Sequence, residues 1–197
     1  IPREATIWDP LLQKNLGVEH FVVPPASGVS EDEHSGYLDA MLFPRWVVCY
    51  SCNSLEFNEG PVRGKCNRCL AKGKPSRKMV QTNFVIACED GHLDEFPWSE
   101  WVHRGSSNVC VAPTLEFRAN GVVQLSSQSI ICTNCGKKRN LSRTTGANED
   151  GTTELSMDLQ RGNEYLCRGS MPWLRLSKTK CGKHLRMVLR SSNNIYF

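Results

Sequence analysis

The sequence lacks any long hydrophobic run. No stretch approaches the roughly 18 uninterrupted apolar residues that a membrane-spanning helix requires. The opening residues also lack the pattern of a secretory signal, in which a charged segment precedes an apolar core and a small-residue cleavage site. These absences exclude the membrane-spanning class, and we expect a cytoplasmic protein without a membrane partner.

The common catalytic and nucleotide-binding motifs are also missing. G-x-S-x-G, H-E-x-x-H and G-x-G-x-x-G do not occur. Residues 60–66 approach a phosphate-binding loop, but the spacing is one residue short, and Cys66 stands where Ser or Thr would hold Mg²⁺. We therefore expect a non-catalytic protein and identify no small-molecule substrate.

The chain of 197 residues has no initiator methionine. With 40% hydrophobic and 22% charged residues, its composition excludes coiled coils, collagen-like chains and low-complexity tails. The last three residues, Ile195, Tyr196 and Phe197, have the pattern of a strand that stops midway. We expect a fragment of a larger protein that forms one compact domain or two small ones.

Cysteine, by contrast, is abundant. The ten cysteines stand at positions 49, 52, 66, 69, 88, 110, 132, 135, 167 and 181. Three of them, Cys49, Cys66 and Cys132, begin C-x-x-C pairs, a spacing that suits metal binding better than structural disulfides. Because cytosolic thiols stay reduced, we expect Zn²⁺ rather than a disulfide framework, and rather than an iron–sulfur cluster.

The first predicted site combines two C-x-x-C pairs. Cys49 and Cys52 are separated by thirteen residues from Cys66 and Cys69. Two such turns can present four sulfurs tetrahedrally to one zinc ion. This spacing is the strongest functional signal in the sequence.

The remaining cysteines predict a second site and leave a third open. For the second we expect Cys132, Cys135, Cys167 and Cys181, with His184 as the alternative to Cys167. The third would combine Cys88, His92, His103 and Cys110. The alternative interpretation of its two histidines is hydrogen bonding within a corner rich in aromatic side chains.

The formal net charge of +4 is weak evidence for a nucleic-acid partner, because ten zinc-bound thiolates and three zinc ions would reduce it to about zero. Local clustering is better evidence. No acidic residue interrupts positions 63–78, which contain Arg63, Lys65, Arg68, Lys72, Lys74, Arg77 and Lys78. We call this stretch the basic segment and expect it to contact DNA phosphates. The alternative is a solvated surface or a protein interface.

The hydrophobic pattern predicts an α+β, β-rich fold. Short strands are expected at 42–48, 82–87, 129–131 and 185–189, a hairpin of 115–118 with 122–125 around Asn120-Gly121, and a helix at 97–103. We expect small zinc-ribbon-like lobes built on antiparallel strands. The predicted divisions are a connecting segment at 1–40 packed on the core, a first lobe at 41–110, and a hairpin with a second zinc lobe at 111–197 that ends in a truncated strand.

Several strings carry a family resemblance. They are Phe43-Pro44-Arg45-Trp46 before the first cysteine pair, residues 84–103 with GHLDEFPW at their centre, Pro172-Trp173, and residues 192–197. From about Leu16 to Phe197 the chain resembles the DrmB family of DISARM anti-phage defence systems. The resemblance implies a zinc-binding component, without established catalytic residues, that partners a DrmA-like helicase and helps to engage DNA.

Two other functions stay open from the residues alone. Carboxylates surround the two candidate histidines, His92 and His103, so an open zinc site could activate water in a hydrolase or nuclease. Those carboxylates are Asp90, Asp94, Glu95 and Glu100. Alternatively, zinc merely replaces a hydrophobic core that is too small to be stable alone, and the protein is a scaffold.

Overall fold

The computed structural model describes residues 6–23, 40–61, 63–75, 77–106, 110–119, 124–157, 159, 164–174 and 180–195. The chain divides into two compact units, Ile1–Met41 and Leu42–Phe197. Within the described residues, no helix combines the length and apolarity needed to cross a membrane.

In its described part the first unit contains two short strands and one helix: β1 (Thr6–Ile7), α1 (Pro10–Leu16) and β2 (Phe21–Val22). The strands pair antiparallel. Asp9 caps the helix by accepting a hydrogen bond from the Leu12 backbone N–H at 3.0 Å, and Gly17, with φ of 66°, ends it. Residues 24–39 of the predicted connecting segment lie outside the described residues.

The second unit contains the remaining elements. They are β3 (Trp46–Val48), β4 (Ser54–Phe57), α2 (Asn67–Ala71), β5 (Val80–Gln81), β6 (Phe84–Ala87), β7 (Leu93–Glu95), α3 (Trp98–His103), β8 (Leu115–Ala119), β9 (Gln128–Cys132), β10 (Lys138–Asn140) and β11 (Arg186–Leu189). Single 3₁₀ turns cover Leu125–Ser127, Pro172–Leu174 and Asn193–Ile195.

These strands form two antiparallel sheets. The larger has the order β10-β9-β8-β4-β3-β5, and the smaller has the order β11-β6-β7. The predicted β-rich α+β class with short antiparallel strands and few short helices is confirmed. Both sheets combine strands from 41–110 with strands from 111–197, so backbone hydrogen bonds cross the predicted lobe boundary.

The predicted helix at 97–103 corresponds to α3, whereas the predicted hairpin was wrong. In the register of β8, Ala119 pairs with Gln128, so the partner strand is β9. Leu125 instead begins a 3₁₀ turn, and residues 120–123 lie outside the described part of the chain. The Asn-Gly signal reports only on local turn preference. The pairing of β8 with β9 is favoured instead by burial, since Ile130 of β9 is completely buried.

The end of the chain also differs from the expected strand. Ile195 lies in a 3₁₀ turn, while Tyr196 and Phe197 lie outside the described residues.

The core lies where α3 and the two sheets meet. Phe96 and Trp98 are fully buried, with ring centroids 4.4 Å apart, and both Phe84 of the smaller sheet and Phe117 of the larger sheet contact Trp98 edge-on. Such aromatic pairs stabilise a core beyond the area they bury. A separate small cluster, which includes Val47 and Met79, surrounds the first cysteine group.

A buried carboxylate links the smaller sheet to the segment before β3. The Arg45 backbone N–H donates to Glu95 Oε1 at 2.5 Å, and the Arg45 guanidinium donates to the carbonyls of Asn58 and Glu59. The other oxygen, Glu95 Oε2, is buried without a partner among the described residues. Burial raises the pKa of Glu95 from 4.5 to about 7, because the charged form loses hydration.

Glu95→Gln is expected to make the protein more stable at neutral and alkaline pH. The folded state holds a proton that the unfolded state releases above pH 4.5, so the native chain loses stability as the pH rises towards 7. Glutamine keeps the acceptor oxygen and never ionises. Urea unfolding should give a gain of about 2–3 kcal/mol at pH 8, and about 1 kcal/mol less at pH 6.

The exposed residue Glu59 provides the control, since Glu59→Gln should change stability little at either pH. A loss of stability in Glu95→Gln at pH 8 would contradict the buried-carboxylate account.

Candidate metal centres

The first cysteine group joins the turn between two strands of the larger sheet to the start of a helix. Cys49 and Cys52 lie between β3 and β4, and Cys66 and Cys69 lie at the start of α2. The Sγ atoms of Cys49 and Cys69 are 3.7 Å apart, and those of Cys52 and Cys66 are 3.5 Å apart. All four sulfurs lie within 4.8 Å of one another, so the group predicted from spacing is assembled.

Backbone geometry explains how each turn directs its sulfurs to one point. Asn53, directly after the first pair, has a φ of 59°, which folds the chain back so that its N–H donates to the Cys49 carbonyl. In the second pair the Cys69 N–H donates to Cys66 Sγ at 3.4 Å. Burial raises the pKa of Cys66, which favours its neutral thiol unless a cation stabilises the thiolate.

The second group combines Cys88, His92, Cys167 and Cys181. Cys88 follows β6, and its Sγ lies 3.4 Å from His92 Nδ1 and 4.0 Å from Cys181 Sγ. Gly91, with φ of 78°, supports the turn between Cys88 and His92. The segments of Cys167 and Cys181 are joined by backbone hydrogen bonds, including Gly182 N–H to the Cys167 carbonyl at 3.0 Å.

The third group combines His103, Cys110, Cys132 and Cys135. His103 Nε2 lies 3.4 Å from Cys135 Sγ, and the sulfurs of Cys132 and Cys110 are 3.8 Å apart. On the other side of the ring, His103 Nδ1 lies 2.7 Å from the Ser99 carbonyl, which can only accept a hydrogen bond. Nδ1 therefore carries the proton, and the lone pair of Nε2 faces the three sulfurs, as in a metal-binding histidine.

The distances fit four ligands around one ion. Tetrahedral zinc with Zn–S bonds of about 2.3 Å separates two sulfurs by about 3.8 Å, and a sulfur from a histidine nitrogen by about 3.5 Å. The observed sulfur pairs span 3.5–4.0 Å, and both sulfur–nitrogen pairs measure 3.4 Å. Disulfide sulfurs would be about 2.05 Å apart. None of the ten cysteines forms a disulfide, so the three groups have the geometry of metal centres.

The twelve predicted ligands are brought together, but the predicted grouping of the second and third sites was wrong. Cys132 and Cys135 meet His103 and Cys110, whereas Cys167 and Cys181 meet Cys88 and His92. The physical reason is sheet pairing. β6 and β11 pair with Ala87 opposite Arg186, which places Cys88 beside the residues that precede β11.

The alternative ligand His184 belongs to none of the three groups. Its Nε2 lies 3.4 Å from Glu164 Oε1, and its Nδ1 accepts a hydrogen bond from the Thr153 backbone at 3.3 Å. The alternative interpretation of the histidines, hydrogen bonding within an aromatic corner, describes only part of the contacts of His103. This residue is 1% exposed, yet its Nε2 lies beside Cys135 Sγ.

The carboxylates considered for catalysis do not converge on an open metal position. Asp90 comes closest, with Oδ2 3.2 Å from Cys181 Sγ, and it forms an ion pair of 3.2 Å with Lys183. Glu95 is bound to the Arg45 backbone instead. Each group already offers four protein ligands.

The basic segment divides into one paired residue and six exposed ones. Arg68 is half-buried and donates to Glu116 Oε1 at 2.6 Å, a hydrogen bond that raises the Arg68 pKa. The other six are exposed and form no ion pair with an acid in the described part of the chain: Arg63, Lys65, Lys72, Lys74, Arg77 and Lys78. Arg68 therefore stabilises the fold, and the six carry the positive surface.

Comparison with known proteins gives two findings. The model of a family described as a domain of unknown function, DUF8724, matches residues 2–197. The DISARM protein DrmB of Bacillus paralicheniformis is 28% identical over 204 residues, which cover 97% of this chain and 31% of that protein. The chain thus spans about a third of the length of this relative, and the resemblance seen in the sequence is confirmed.

His103→Ala is expected to release one metal ion of three. The substitution removes the only nitrogen ligand of the third group, while the other two groups keep all their ligands. Elemental analysis of the purified protein should fall from three zinc ions per chain to two. The matched control is His184→Ala, which should keep three because His184 lies outside every group. An unchanged count in His103→Ala would show that this histidine only packs.

Proposed function

We propose that this chain, which belongs to the DUF8724 family, is a non-catalytic zinc-binding module of a DISARM-type anti-phage defence complex, where it engages DNA. The proposal is carried by one observation, the position of the basic segment on the first metal centre. Cys66 and Cys69 lie within that segment, so the ion that they bind fixes the backbone of the segment at these two residues.

The donor sets support zinc as the ion. One group offers four cysteines, and the other two each offer three cysteines and one histidine. Four-coordinate sites of these compositions are typical of structural zinc, which binds tetrahedrally without redox chemistry. In such sites zinc binding contributes directly to the free energy of folding.

The same donor sets speak against a hydrolase or nuclease. A catalytic zinc keeps a ligand position for water, and its site usually has three protein ligands. Here each group supplies four, and Asp90, the nearest of the acids, is paired with Lys183. We therefore propose a structural role for all three ions.

Backbone contacts support DNA engagement by holding the basic segment in one conformation. Lys65 and Lys78 form a β-bridge, and the Met79 N–H donates to the Gly64 carbonyl at 3.0 Å. The N–H groups of Lys72 and Lys74 both donate to the Cys69 carbonyl. A loop closed in this way presents its ammonium groups to phosphates at a lower entropic cost than a free tail would.

A helicase is the expected protein partner. The family resemblance of the sequence implies a multi-component system. It also implies that a DrmA-like helicase supplies the ATPase activity. Co-expression of the full-length protein with a DrmA-like helicase should yield a complex that survives affinity purification and gel filtration. Separate elution of the two proteins would contradict this part of the proposal.

Neutralising the basic segment is expected to weaken DNA binding and its salt dependence. In the triple variant Lys72→Gln, Lys74→Gln and Lys78→Gln, the slope of log K against log [salt] should fall by about 2–3, since each lost duplex phosphate contact contributes about 0.9. Fluorescence anisotropy with labelled DNA measures this slope over a range of roughly 50–200 mM salt.

The matched control neutralises three exposed cations elsewhere: Lys14→Gln, Lys138→Gln and Arg143→Gln. Equal losses in both triple variants would indicate unspecific attraction, and the absence of DNA binding by the native chain would favour a pure scaffold.

A further inference from the structure

An open groove of about 410 Å³ lies where the ends of the two sheets face each other. Val48 and Phe117 line it from the larger sheet, while Phe84 and Leu189 line it from the smaller sheet. No charged residue lines it among the residues that the structure describes. None of the three metal groups uses the groove, and its mixed apolar and polar walls are typical of sites for flat organic rings.

Tyr50 stands at the rim of this groove. Its side chain is 68% exposed, although the residue lies between two ligands of the first metal group, Cys49 and Cys52. The turn that directs those sulfurs inward therefore holds the ring outward. An exposed aromatic ring on a rigid turn can stack on a nucleobase with little loss of conformational entropy.

Polar groups occur beside the apolar walls. Asn83 is exposed and lines the groove, so its amide can both donate and accept hydrogen bonds. Thr82 next to it is 5% exposed, and its hydroxyl has no partner among the described residues. A buried hydroxyl without a partner is costly, and a ligand that reaches it would recover that cost.

One cation, Arg190, lies beside the groove at Asn83. Arg190 donates from its backbone to the Asn83 carbonyl at 2.9 Å and from its guanidinium to Gln81 Oε1 at 3.2 Å. The chain before Asn83 leads through Thr82 and β5 back to Lys78, at the end of the basic segment, four residues before Thr82. A polyanion lying along the basic segment would therefore be directed to the groove.

We propose that this groove binds an unpaired base of single-stranded DNA, with the base stacked on Tyr50 and the adjoining phosphates on the basic segment. This inference rests on the proposed function, since it identifies the form of DNA that the module engages. In a duplex the bases are paired and stacked, so they cannot enter a groove of this kind without being extruded. Single-stranded nucleic acid exposes the rings and carries the same phosphate charge.

The test compares Tyr50→Ala with Tyr50→Phe on a labelled single-stranded oligonucleotide and on its duplex. We expect Tyr50→Ala to bind the single strand about 5- to 100-fold more weakly, the range that loss of one stacked base produces. Tyr50→Phe should bind like the native chain, and the affinity for duplex should not change. Trp173→Ala removes another exposed aromatic that does not line the groove, and it should have no effect.

Metal content separates a binding defect from a folding defect, because every variant should keep three zinc ions. Equal affinity of native chain and Tyr50→Ala for the single strand, with salt-dependent binding retained, would overturn the groove and leave the basic segment intact. Loss of all DNA binding in the native chain would instead overturn the proposed function.

Discussion

The structure depends on sulfur and nitrogen ligands that converge on three points. Its strands are two to five residues long, too short to be stable as isolated pairs. Each ligand group instead joins segments that the sheets alone hold weakly: Cys49 with Cys69, His103 with Cys135, and Cys88 with Cys181. Thiolates at this separation would repel one another, and a cation at the centre of each group would offset that repulsion.

This constraint links the fold to the proposed function. The first metal group joins two turns whose outward residues differ in chemistry, since one presents the Tyr50 ring and the other lies within the basic segment. Neither turn belongs to the large aromatic core around Trp98. An ion bound by the four cysteines would fix these turns further, beyond the pairing of β3 with β5, and would couple metal binding to the surface proposed for DNA.

Much of this site could be predicted from the sequence, because C-x-x-C spacing is a local property. The group around Cys49 and Cys66, the β-rich class and the helix after Pro97 all follow from residues close together in the chain. The partners of Cys132 could not be found this way, since they depend on which strands pair. The pairing of β6 with β11 joins residues about a hundred positions apart, and no spacing rule encodes it. The prediction of a hairpin at Asn120 was wrong for the same reason, since β8 pairs with β9.

The order of the ligands along the chain gives the second and third groups unequal roles. The third group spans 103–135 and lies entirely inside the interval of 88–181 that the second group closes. The entropic cost of closing a loop rises with its length, so the inner group closes at the lower cost. Once it has closed, it shortens the effective loop that separates Cys88 from Cys181. Closing the third group therefore lowers the entropic cost of closing the second. Both would then stabilise the smaller sheet, since its strands β6 and β11 pair beside Cys88 and Cys181.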